Sequence, residues 1–512
     1  MSAAGTLLIR CDADVAIGSG HVMRCLALAQ AWQDAGGCAI FAMAQATPTV
    51  EERLRSEGFE VERTSVSVGS TADAYDSALL ARKHGVSWIV VDGYEFGAEY
   101  QATLKSRGLK VLFIDDNGHA GHYSADLVLN QNVHAREAFY PSRDPSTRLL
   151  LGPRFAMLRR EFTQWREWHR EIPAVARRVL VTMGGSDSDN VTKQVLQAIL
   201  GEPSLNTTVV AGGSNPHLPE LRELVAAARG SVRLVENVTN MPELIANSDV
   251  AISGAGTTAL EMCFLGLPAL LIVLADNQRL AAEELNRRGA AMNLGEVAEV
   301  QPSTLSPCLT RLINSQDTRK TMSEHGRELV DCRGAERVVW VLRTSALRVR
   351  RAIAADCRLL WELANDPTVR ASGFYPALIP WDDHVAWFES KMQTATCHTL
   401  IGEAEKAFVG QVRVEVRADG EGEIHVSITN EFRGKGLGSR LIDLALREIF
   451  TSIAVSRIHA YILPQNTASQ RAFENAGFQK VGEEQIKGHR ALHYVRDKSV
   501  EDIRADIECK LQ

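Results

Sequence analysis

Residues Ile17 to Gln30 read IGSGHVMRCLALAQ, and this stretch decides how the first part of the chain folds. The apolar run Thr6–Arg10 precedes it and predicts a β-strand, followed by a loop over Cys11–Gly20. Apolar residues then recur at helical spacing, at Val22, Cys25, Leu26, Ala29 and Trp32. The pattern therefore predicts a strand, a glycine-rich loop and a helix, with His21 at the helix start.

The predicted loop has the features of an anion-binding site. Gly18 and Gly20, with Ser19 between them, let the backbone approach a ligand, and free N–H groups at a helix N-terminus attract phosphate. The helix dipole at His21 favours the neutral imidazole that a general base needs near pH 7. The spacing G-x-G-H differs from the dinucleotide pattern G-x-G-x-x-G. A tight turn that binds nothing, with a solvated His21, is the alternative interpretation.

The composition is that of an ordinary globular protein. The 512 residues are 45% hydrophobic and 23% charged, and this length is typical of about three domains. The net charge of −7 argues against a nucleic-acid partner. No apolar run reaches the ~18 residues of a membrane span, and we find no signal-peptide pattern. Nine cysteines without a C-x-x-C pair favour reduced thiols and a cytoplasmic location.

Apolar strands and helical patterns alternate over most of the chain, which predicts an α/β fold with two Rossmann-like lobes at 1–165 and 166–345. The first lobe has apolar runs at Cys38–Met43, Trp88–Val91, Val111–Ile114 and Leu127–Leu129, and the second at Val179–Met183, Thr207–Ala211, Val232–Val235, Val250–Ser253 and Ala269–Leu274. A third, mixed α/β unit is predicted at 346–512, with antiparallel strands at Leu347–Val349, Thr399–Gly402, Gly410–Val416 and Glu423–Ile428. We expect ligands beyond the carboxyl ends of the parallel strands, between the two lobes.

A second glycine-rich motif opens a helix in the second lobe. The sequence SGAGTTALE runs from Ser253 to Glu261, with Gly256 in the turn and Thr257 and Thr258 as predicted caps. Glu261 lies one turn further, where it can accept hydrogen bonds from ribose hydroxyls. The other predicted substrate contacts follow neighbouring strands and are Gly185, Ser186, Asn277 and Gln278.

These motifs together resemble those of enzymes that act on nucleotide sugars. The stretch Asp249–Gln278 is similar to the nucleotide-diphosphate site of GT-B glycosyltransferases. With Arg10–Ala29, it resembles the UDP-2,4-diacetamido-2,4,6-trideoxy-β-L-altropyranose hydrolases of pseudaminic acid biosynthesis, over about residues 5–340. Three further stretches support this resemblance: VVDGY at Val90–Tyr94, IDD at Ile114–Asp116 and GPRFAMLRREF at Gly152–Phe162.

The resemblance implies a role for several residues. His21 would deprotonate the water that attacks the anomeric carbon, and helix N-termini would stabilise the departing UDP. Glu261 would bind the ribose, and Asn277 the diphosphate or sugar. Asp12 and Tyr94 are catalytic candidates on the sugar side, with a loop cap and a cleft wall as the alternatives. His119 and His122 lack a third ligand, so we expect no metal.

The third unit contains the sequence NEFRGKGLG at Asn430–Gly438. Arg433, Gly436 and Gly438 fit the pattern R-x-x-G-x-G, and backbone N–H groups in this loop, including that of Gly434, can surround a pyrophosphate. Asn466, Phe473, Gly477 and Phe478 follow in order. The two motifs resemble the GCN5-related N-acetyltransferases over about residues 346–500, which implies acetyl-CoA as cosubstrate, bound by the loop and Asn466.

One position departs from that family. Phe473 stands where a tyrosine often protonates the departing thiolate, so the general acid is unassigned. Glu423 and His425 alternate onto the same face of a predicted strand. His425 is therefore a catalytic candidate for moving the amine proton, and ordinary strand residues are the alternative.

The sequence predicts a bifunctional cytoplasmic enzyme of pseudaminic acid biosynthesis. One half would acetylate the 4-amino group of a UDP-activated amino sugar with acetyl-CoA, and the other would then release UDP and 2,4-diacetamido-2,4,6-trideoxy-L-altrose. The alternative is a UDP-sugar glycosyltransferase fused to an acetyl-CoA-binding module. Neither hypothesis requires a metal, a nucleic acid or membrane insertion.

Overall fold

The computed structural model describes residues 5–13, 18–185, 187–200, 204–213, 215–228, 231–345, 347–404, 407–434 and 436–498. The chain forms two compact units, with the boundary between Trp340 and Val341. The first unit contains two parallel sheets, and the second contains one mixed sheet.

The first lobe is a seven-stranded parallel sheet in the order β3-β2-β1-β4-β5-β6-β7. Its strands are β1 Thr6–Cys11, β2 Cys38–Met43, β3 Glu60–Arg63, β4 Trp88–Asp92, β5 Lys110–Ile114, β6 Leu127–Asn130 and β7 Arg148–Leu151. Its helices are α1 Gly20–Asp34, α2 Pro48–Ser56, α3 Thr71–Lys83 and α4 Ala98–Ser106. All five residues of β4 are buried, because helices cover both faces of such a sheet.

The second lobe is a six-stranded parallel sheet in the order β10-β9-β8-β11-β12-β13. Its strands are β8 Arg178–Thr182, β9 Asn206–Ala211, β10 Val232–Glu236, β11 Val250–Gly254, β12 Ala269–Val273 and β13 Met292–Glu296. Its helices are α5 Val191–Ile199, α6 Leu218–Ala227, α7 Met241–Ala246, α8 Thr257–Phe264, α9 Asp276–Arg287, α10 Pro302–Asn314 and α11 Gln316–Leu329, followed by α12 Gly334–Thr344.

The order of strands reverses once in each parallel sheet. In the first lobe this happens between β1 and β4, and in the second between β8 and β11. Successive crossovers leave in opposite directions at such a point, which opens a crevice at the carboxyl ends of the two strands. The loops after these four strands therefore form the natural ligand-binding region.

The third sheet is mixed, in the order β14-β15-β16-β17-β18-β20-β19. Its strands are β14 Arg348–Arg351, β15 Cys397–Ala404, β16 Ala407–Val416, β17 Gly422–Ile428, β18 Arg457–Ile462, β19 Gln479–Ile486 and β20 His489–Asp497. Its helices are α13 Cys357–Ala364, α14 Pro367–Ala371, α15 Trp381–Gln393, α16 Leu437–Ser452 and α17 Thr467–Asn475. Among the described strands of this sheet, only β17 and β18 are parallel, and they are paired at two positions, Gly422 with Ile458 and Glu423 with His459.

The predicted α/β fold with two Rossmann-like lobes and a mixed third unit is confirmed. The predicted antiparallel order holds for β14 to β17. Edge strands such as β3 and β19 were not predicted, because most of their side chains are polar and exposed and give no apolar alternation. No helix in the described ranges is long and apolar enough to cross a membrane.

Candidate active sites

The first candidate site is built around His21 at the start of α1. Its Nδ1 lies 2.6 Å from Oδ1 of Asp92, the last residue of β4. The two residues meet because β1 and β4 are neighbours in the sheet, so the loop after β1 ends beside the tip of β4. His21 is 9% exposed and Asp92 is fully buried. An acidic partner on one ring nitrogen orients the imidazole and leaves the other nitrogen to act on a ligand.

Arg24, one turn after His21, holds the Asp92 carboxylate in place. It donates from Nε to Asp92 Oδ2 and from Nη2 to Asp92 Oδ1, both at 2.7 Å, and from Nη1 to Asp116 Oδ1 at 2.8 Å. Burial alone would raise the pKa of Asp92, but Arg24 and His21 together lower it well below its usual range. Asp92 is therefore ionised at neutral pH and accepts the Nδ1 proton of His21.

Tyr94 links this histidine to the second lobe. Its ring meets the His21 ring edge-on, with centroids 5.2 Å apart. Its hydroxyl donates to Asp116 Oδ2 at 3.0 Å and accepts from Asn277 Nδ2 at 2.8 Å. Tyr94 and Asn277, two predicted site residues, are thus brought together with His21.

The glycine-rich loops of the two lobes converge beside His21. A Cβ atom on Gly185 would lie 2.7 Å from Ser19 Oγ, and a Cβ atom on Gly20 would lie 4.0 Å from Thr257 Oγ1. Gly18 has a positive φ of 77°, which side chains disfavour. The N-termini of α1 and α8 therefore face the same space, as an anion site requires.

One prediction about the second lobe, the capping of α8, needs correction. The cap of α8 is Gly256, without a side-chain hydrogen bond, and the helix begins at Thr257, so neither Thr257 nor Thr258 caps it. Gln278 Oε1 accepts from the backbone N–H groups of Ala255 and Leu274, both at 3.1 Å, so it supports the loop. Ser186 lies outside the described residues.

The Glu261 side chain is more buried than we expect for a carboxylate that is free to bind a ribose. It is 5% exposed, and its Oε1 lies 2.9 Å from Arg159 Nη1. Burial raises the pKa of Glu261, while the charge of Arg159 opposes that shift. Arg159, Glu261 and Thr257 line a small cavity that also includes Arg24 and Gln131.

The contacts of Asp12 fit the loop cap, which is the alternative to its catalytic assignment. It accepts from Arg10 Nη1 at 2.6 Å and from the backbone N–H groups of Ala44 and Gln45 at 2.7 and 2.9 Å. Both carboxylate oxygens are already used, which is the pattern of a loop anchor. We therefore leave Asp12 out of the proposed reaction.

The two histidines of the DNGHAGH stretch lie in different surroundings. The His119 ring meets Tyr94 edge-on, with centroids 5.4 Å apart, and its Nδ1 lies 3.1 Å from Asp115 Oδ2. His122 lies 2.9 Å from Ser142 Oγ and 3.1 Å from Asp144 Oδ1. Within the described ranges, the one cluster with metal-ligand spacing consists of Glu60, Glu62 and His84, and it includes neither of them.

The second candidate site surrounds the loop between β17 and α16. Gly434 and Gly436 have positive φ angles of 71° and 76°, and Gly436 is the residue before α16. A Cβ atom at either position would meet nothing within 4 Å among the described atoms. The loop therefore has a conformation that favours glycine, although no described neighbouring atom would exclude a side chain there. Such a conformation is consistent with backbone N–H groups that bind an anion.

Other predicted residues of this site have structural roles. Arg433 donates to the Ile428 carbonyl at 2.8 Å and to Asp366 Oδ1 at 2.7 Å, so it braces the loop from within. Asn466 Oδ1 caps α17 by accepting from Ser469 N at 3.1 Å. Gly438 lies in the first turn of α16, where a Cβ atom would lie 3.4 Å from Ala472 Cβ on α17. These three residues shape the site, and Arg433 keeps one donor, Nη1, that is buried without a hydrogen-bond partner among the described residues.

His425 and Glu423 lie on the same face of β17, as predicted, with His425 Nε2 3.3 Å from Glu423 Oε1. Desolvation and the nearby Arg413 charge lower the pKa of His425 to about 3, so its imidazole is neutral at pH 7. Phe473 is 5% exposed and packs edge-on against Phe478. It is a core residue.

Sequence reasoning missed Asp92, Arg24 and Asp116. Each stands in a stretch that was noticed: Arg24 follows His21 by three residues, Asp92 is the D of VVDGY and Asp116 ends IDD. A charged residue at the end of a fully apolar strand was the available signal. Their convergence depends on strand order, which the sequence did not show.

Comparison with known protein families finds one matching domain family in each of the two units. Residues 178–333 match the glycosyltransferase family 28 C-terminal domain, and residues 346–479 match the acetyltransferase (GNAT) domain. The chain is a fusion of these two domain types. The first unit has the two-lobed GT-B arrangement, and its second lobe is the part that matches family 28.

Three relatives extend this assignment. An uncharacterized protein of Methanocaldococcus jannaschii is 24% identical over 92% of this chain and 96% of its own length, so the similarity runs through both units. The UDP-2,4-diacetamido-2,4,6-trideoxy-β-L-altropyranose hydrolase of Campylobacter jejuni is 24% identical over 55% of this chain and 97% of its own length. The spore coat polysaccharide biosynthesis protein SpsG of Bacillus subtilis is 28% identical over 46% of this chain and 68% of its own length. The GT-B unit is thus a homologue of a nucleotide-sugar hydrolase.

Proposed function

We propose that this fusion protein carries out two steps on one UDP-activated amino sugar. The GNAT domain N-acetylates the 4-amino group with acetyl-CoA. The GT-B unit then hydrolyses the anomeric bond of UDP-2,4-diacetamido-2,4,6-trideoxy-β-L-altropyranose and releases UDP. The observation that carries the hydrolase assignment is the His21–Asp92 pair, which lies where the N-termini of α1 and α8 converge.

In the proposed hydrolysis, His21 is the general base. The ionised Asp92 accepts the Nδ1 proton at 2.6 Å, which leaves Nε2 with a lone pair for the attacking water. The water oxygen bonds to the anomeric carbon, the bond from that carbon to the diphosphate oxygen breaks, and UDP takes the electron pair. Free N–H groups at the two helix N-termini stabilise the charge that develops on the diphosphate. Tyr94 and Asn277 lie beside His21 and would contact the sugar or diphosphate.

Glu261 is our candidate for the ribose contact, and the structure pairs it with Arg159. A ribose diol that donates to the carboxylate would add to this ion pair. Because such a contact is the same in the ground and transition states, it would affect KM more than kcat.

In the proposed acetylation, the loop at Gly434 and Gly436 binds the pyrophosphate of acetyl-CoA through backbone N–H groups. The cosubstrate itself is that of the matched acetyltransferase family. The partial pairing of β17 with β18 leaves the far parts of these two strands unbonded to each other, next to that loop. The amine would attack the thioester beside His425, whose imidazole is neutral at pH 7 and can hydrogen-bond to the amine.

The test is incubation of the full chain with acetyl-CoA and UDP-4-amino-4,6-dideoxy-N-acetyl-altrosamine, followed by mass and NMR analysis. We expect UDP and the free diacetamido sugar, with UDP release dependent on prior acetylation. Release of UDP only when a second sugar or lipid acceptor is present would contradict hydrolysis. Binding of acetyl-CoA without its consumption would instead indicate a sensing module.

A glycosyltransferase is the second candidate, favoured by the family 28 match of the UDP-binding lobe. The two candidates differ in the group that His21 would activate, which is water in one case and an acceptor hydroxyl in the other. Dependence of UDP release on an added acceptor separates them.

A further inference from the structure

Gln131 is a buried residue whose amide has one group left unpaired. It follows β6 in the first lobe and is 1% exposed. Its Oε1 accepts from the backbone N–H of Met157 at 2.8 Å, and this contact fixes the orientation of the amide, because an NH₂ group could not accept that hydrogen. Among the described residues, we find no hydrogen-bond partner for Gln131 Nε2. This nitrogen is therefore a donor that a ligand could use.

The Gln131 side chain lines a cavity at the boundary between the two lobes. Glu261 and Thr257 line it from α8 of the second lobe, and Arg159 lines it from the segment that joins the lobes. The cavity volume is about 10 Å³, which is room for one water-sized group. Buried apolar side chains form other parts of the wall, at Met157, Leu158 and Leu260. The cavity is thus a small polar site in an apolar enclosure.

The polar atoms around this cavity complement a hydroxyl group. Arg159 Nη1 lies 2.9 Å from Glu261 Oε1, which leaves Glu261 Oε2 as an acceptor. A hydroxyl donates one hydrogen bond and can accept others, so it can donate to Glu261 and accept from Gln131 Nε2 at the same time. Buried polar groups are rarely left unpaired, so a donor and an acceptor at one small cavity indicate an occupant that pairs with both.

The position of the cavity along α8 fits a nucleotide. Thr257 is the first residue of this helix, and Glu261 lies four residues, or about 6 Å, further along the axis. The N-terminus of α8 is where the proposed function places the diphosphate. A ribose diol is separated from its 5′-phosphate by a comparable distance. A nucleotide that lies along α8 can therefore present a ribose hydroxyl to the cavity.

We propose that this cavity holds one ribose hydroxyl of the nucleotide, with Gln131 Nε2 donating to the hydroxyl oxygen and Glu261 accepting its hydrogen. The inference rests on the hydrolase function proposed above and adds a specificity-determining residue from the first lobe. Gln131 reaches the hydroxyl as the two lobes close around the nucleotide. A deoxyribose would leave the amide and the carboxylate unpaired in the cavity, so the site selects ribonucleotides.

The test measures the affinity of the full chain for UDP, 2′-deoxy-UDP and 3′-deoxy-UDP by titration calorimetry. Gln131→Leu removes the amide, and Gln131→Met is a second variant that keeps the length of the side chain. Thermal melting establishes that each variant is folded.

Gln101→Leu is the matched control. Gln101 lies on α4 and is also fully buried. Its Oε1 accepts from the backbone N–H of Ala125 at 3.3 Å, and its Nε2 has no partner among the described residues. Gln101 does not line the cavity beside Glu261. The control therefore reproduces the loss of a buried amide without the loss of the proposed ribose contact.

We expect one of the two deoxynucleotides to bind the wild type at least about tenfold more weakly than UDP, because buried groups are then left unpaired. In Gln131→Leu the affinity for UDP should fall, and the penalty for that deoxynucleotide should shrink to about threefold, since only the contact with Glu261 remains to be lost. Such non-additivity identifies a side chain and a hydroxyl that interact. Gln101→Leu should keep the wild-type ratio of affinities.

A crystal structure of the wild-type chain with UDP is a second measurement, and it does not depend on the folding of a variant. We expect Gln131 Nε2 within about 3.2 Å of a ribose hydroxyl oxygen. A water molecule in the cavity, with the ribose bound elsewhere, would overturn the inference.

Two results of the titrations would also overturn it. One is equal affinity of the wild type for all three nucleotides, and the other is a wild-type ratio of affinities in a folded Gln131 variant. The second result would leave Glu261 as a ribose contact and remove only Gln131. A wild-type chain that does not bind UDP would instead contradict the proposed hydrolase function itself.

Discussion

The His21 imidazole can be removed without removing the groups that would bind UDP. We predict that His21→Asn lowers the rate of UDP release by about 10²–10⁴-fold, the usual range for loss of a general base. Acetylation by the same protein should continue unchanged, because His425 and the Gly436 loop belong to the other unit. UDP release measured by a coupled assay, and CoA release measured in parallel, check both statements.

His122→Gln is the control for this variant, since His122 contacts Ser142 and Asp144 and not the His21 pair. Hydrolysis by His21→Asn at the rate of the His122 variant would remove His21 from the mechanism.

His425 gives a prediction about pH and stability. In the unfolded chain an imidazole has a pKa of 6.5, whereas desolvation, together with Arg413, lowers the pKa of His425 to about 3 in the folded unit. Between these values the unfolded chain binds more protons, so the stability contributed by neutral His425 is present above pH 6.5 and is lost as the pH falls towards 3.

His425→Gln should therefore lose less thermal stability than the wild type when the pH is lowered from about 7 to about 4.5. Melting temperatures of both proteins at the two pH values test this. An identical decrease in the two proteins would show that folding does not lower the pKa of His425.

At the residue scale, the sequence predicted groups within one motif and missed groups joined by tertiary structure. His21 was identified from its own loop and helix. Its partner Asp92 lies 71 residues away, and only the adjacency of β1 and β4 brings it within 2.6 Å. The choice between the two interpretations of Asp12 depends on tertiary structure in the same way, because its donors Ala44 and Gln45 come from the loop after another strand.

At the scale of single elements, the loop before α16 offers a matched pair of glycines. Gly436 and Gly420 have positive φ angles of 76° and 80°, and a Cβ atom at either would meet nothing within 4 Å. We predict that Gly436→Ala and Gly420→Ala destabilise the fold to a similar degree, by about 1 kcal/mol each, because both strain the backbone in the same way.

Only Gly436→Ala should raise the KM for acetyl-CoA, since Gly420 lies in the turn before β17 and away from the loop. Chemical denaturation and acetyl-CoA titration of both variants separate strain from binding. An equal effect of both variants on KM would mean that the loop does not bind the cosubstrate.

Element prediction worked where burial was complete and failed where it was partial. Strands such as β2 and β4 are continuous apolar runs and were predicted nearly to the residue. In β19 six of eight residues are exposed, so no apolar alternation identifies it. The cap of α8 was predicted wrongly because threonine is a preferred capping residue and Thr257 stands near the helix start. In the structure the cap is Gly256, and Thr257 is the first helical residue.

At the scale of the whole molecule, helix α12 decides where the chain can be divided. Its first residue, Gly334, would bring a Cβ atom within 2.2 Å of the Ala156 carbonyl in the GT-B unit. Its last residue, Thr344, accepts from Arg440 Nη1 at 2.9 Å in the GNAT unit. Each end of this helix thus packs within a different unit.

We predict that overlapping fragments, residues 1–345 and 334–512, each retain one activity. The fragment 346–512 should be less stable than 334–512, because Arg440 loses the Thr344 and Ser345 carbonyls and Glu431 loses Arg343. Melting temperatures and the two separate assays test the proposed division at residue 345. Fragments that fold but work only when mixed would mean that the sites share residues across the boundary.

The motifs showed that the chain contains two different chemistries, because each motif is local and lies wholly on one side of the junction. The sequence did not predict that the two units share helix α12. This helix has an ordinary amphipathic pattern, which is compatible with packing against either unit.

The hydrogen bond from Asn277 to Tyr94 has a consequence for how affinity should be measured. It closes the two lobes through the same hydroxyl that a sugar between them would approach. For a ligand whose binding separates Asn277 from Tyr94, the apparent dissociation constant is the intrinsic one divided by the fraction of molecules in which this hydrogen bond is open. Breaking this hydrogen bond by substitution would therefore raise the affinity of such ligands if they do not contact Asn277. It would also raise their association rate.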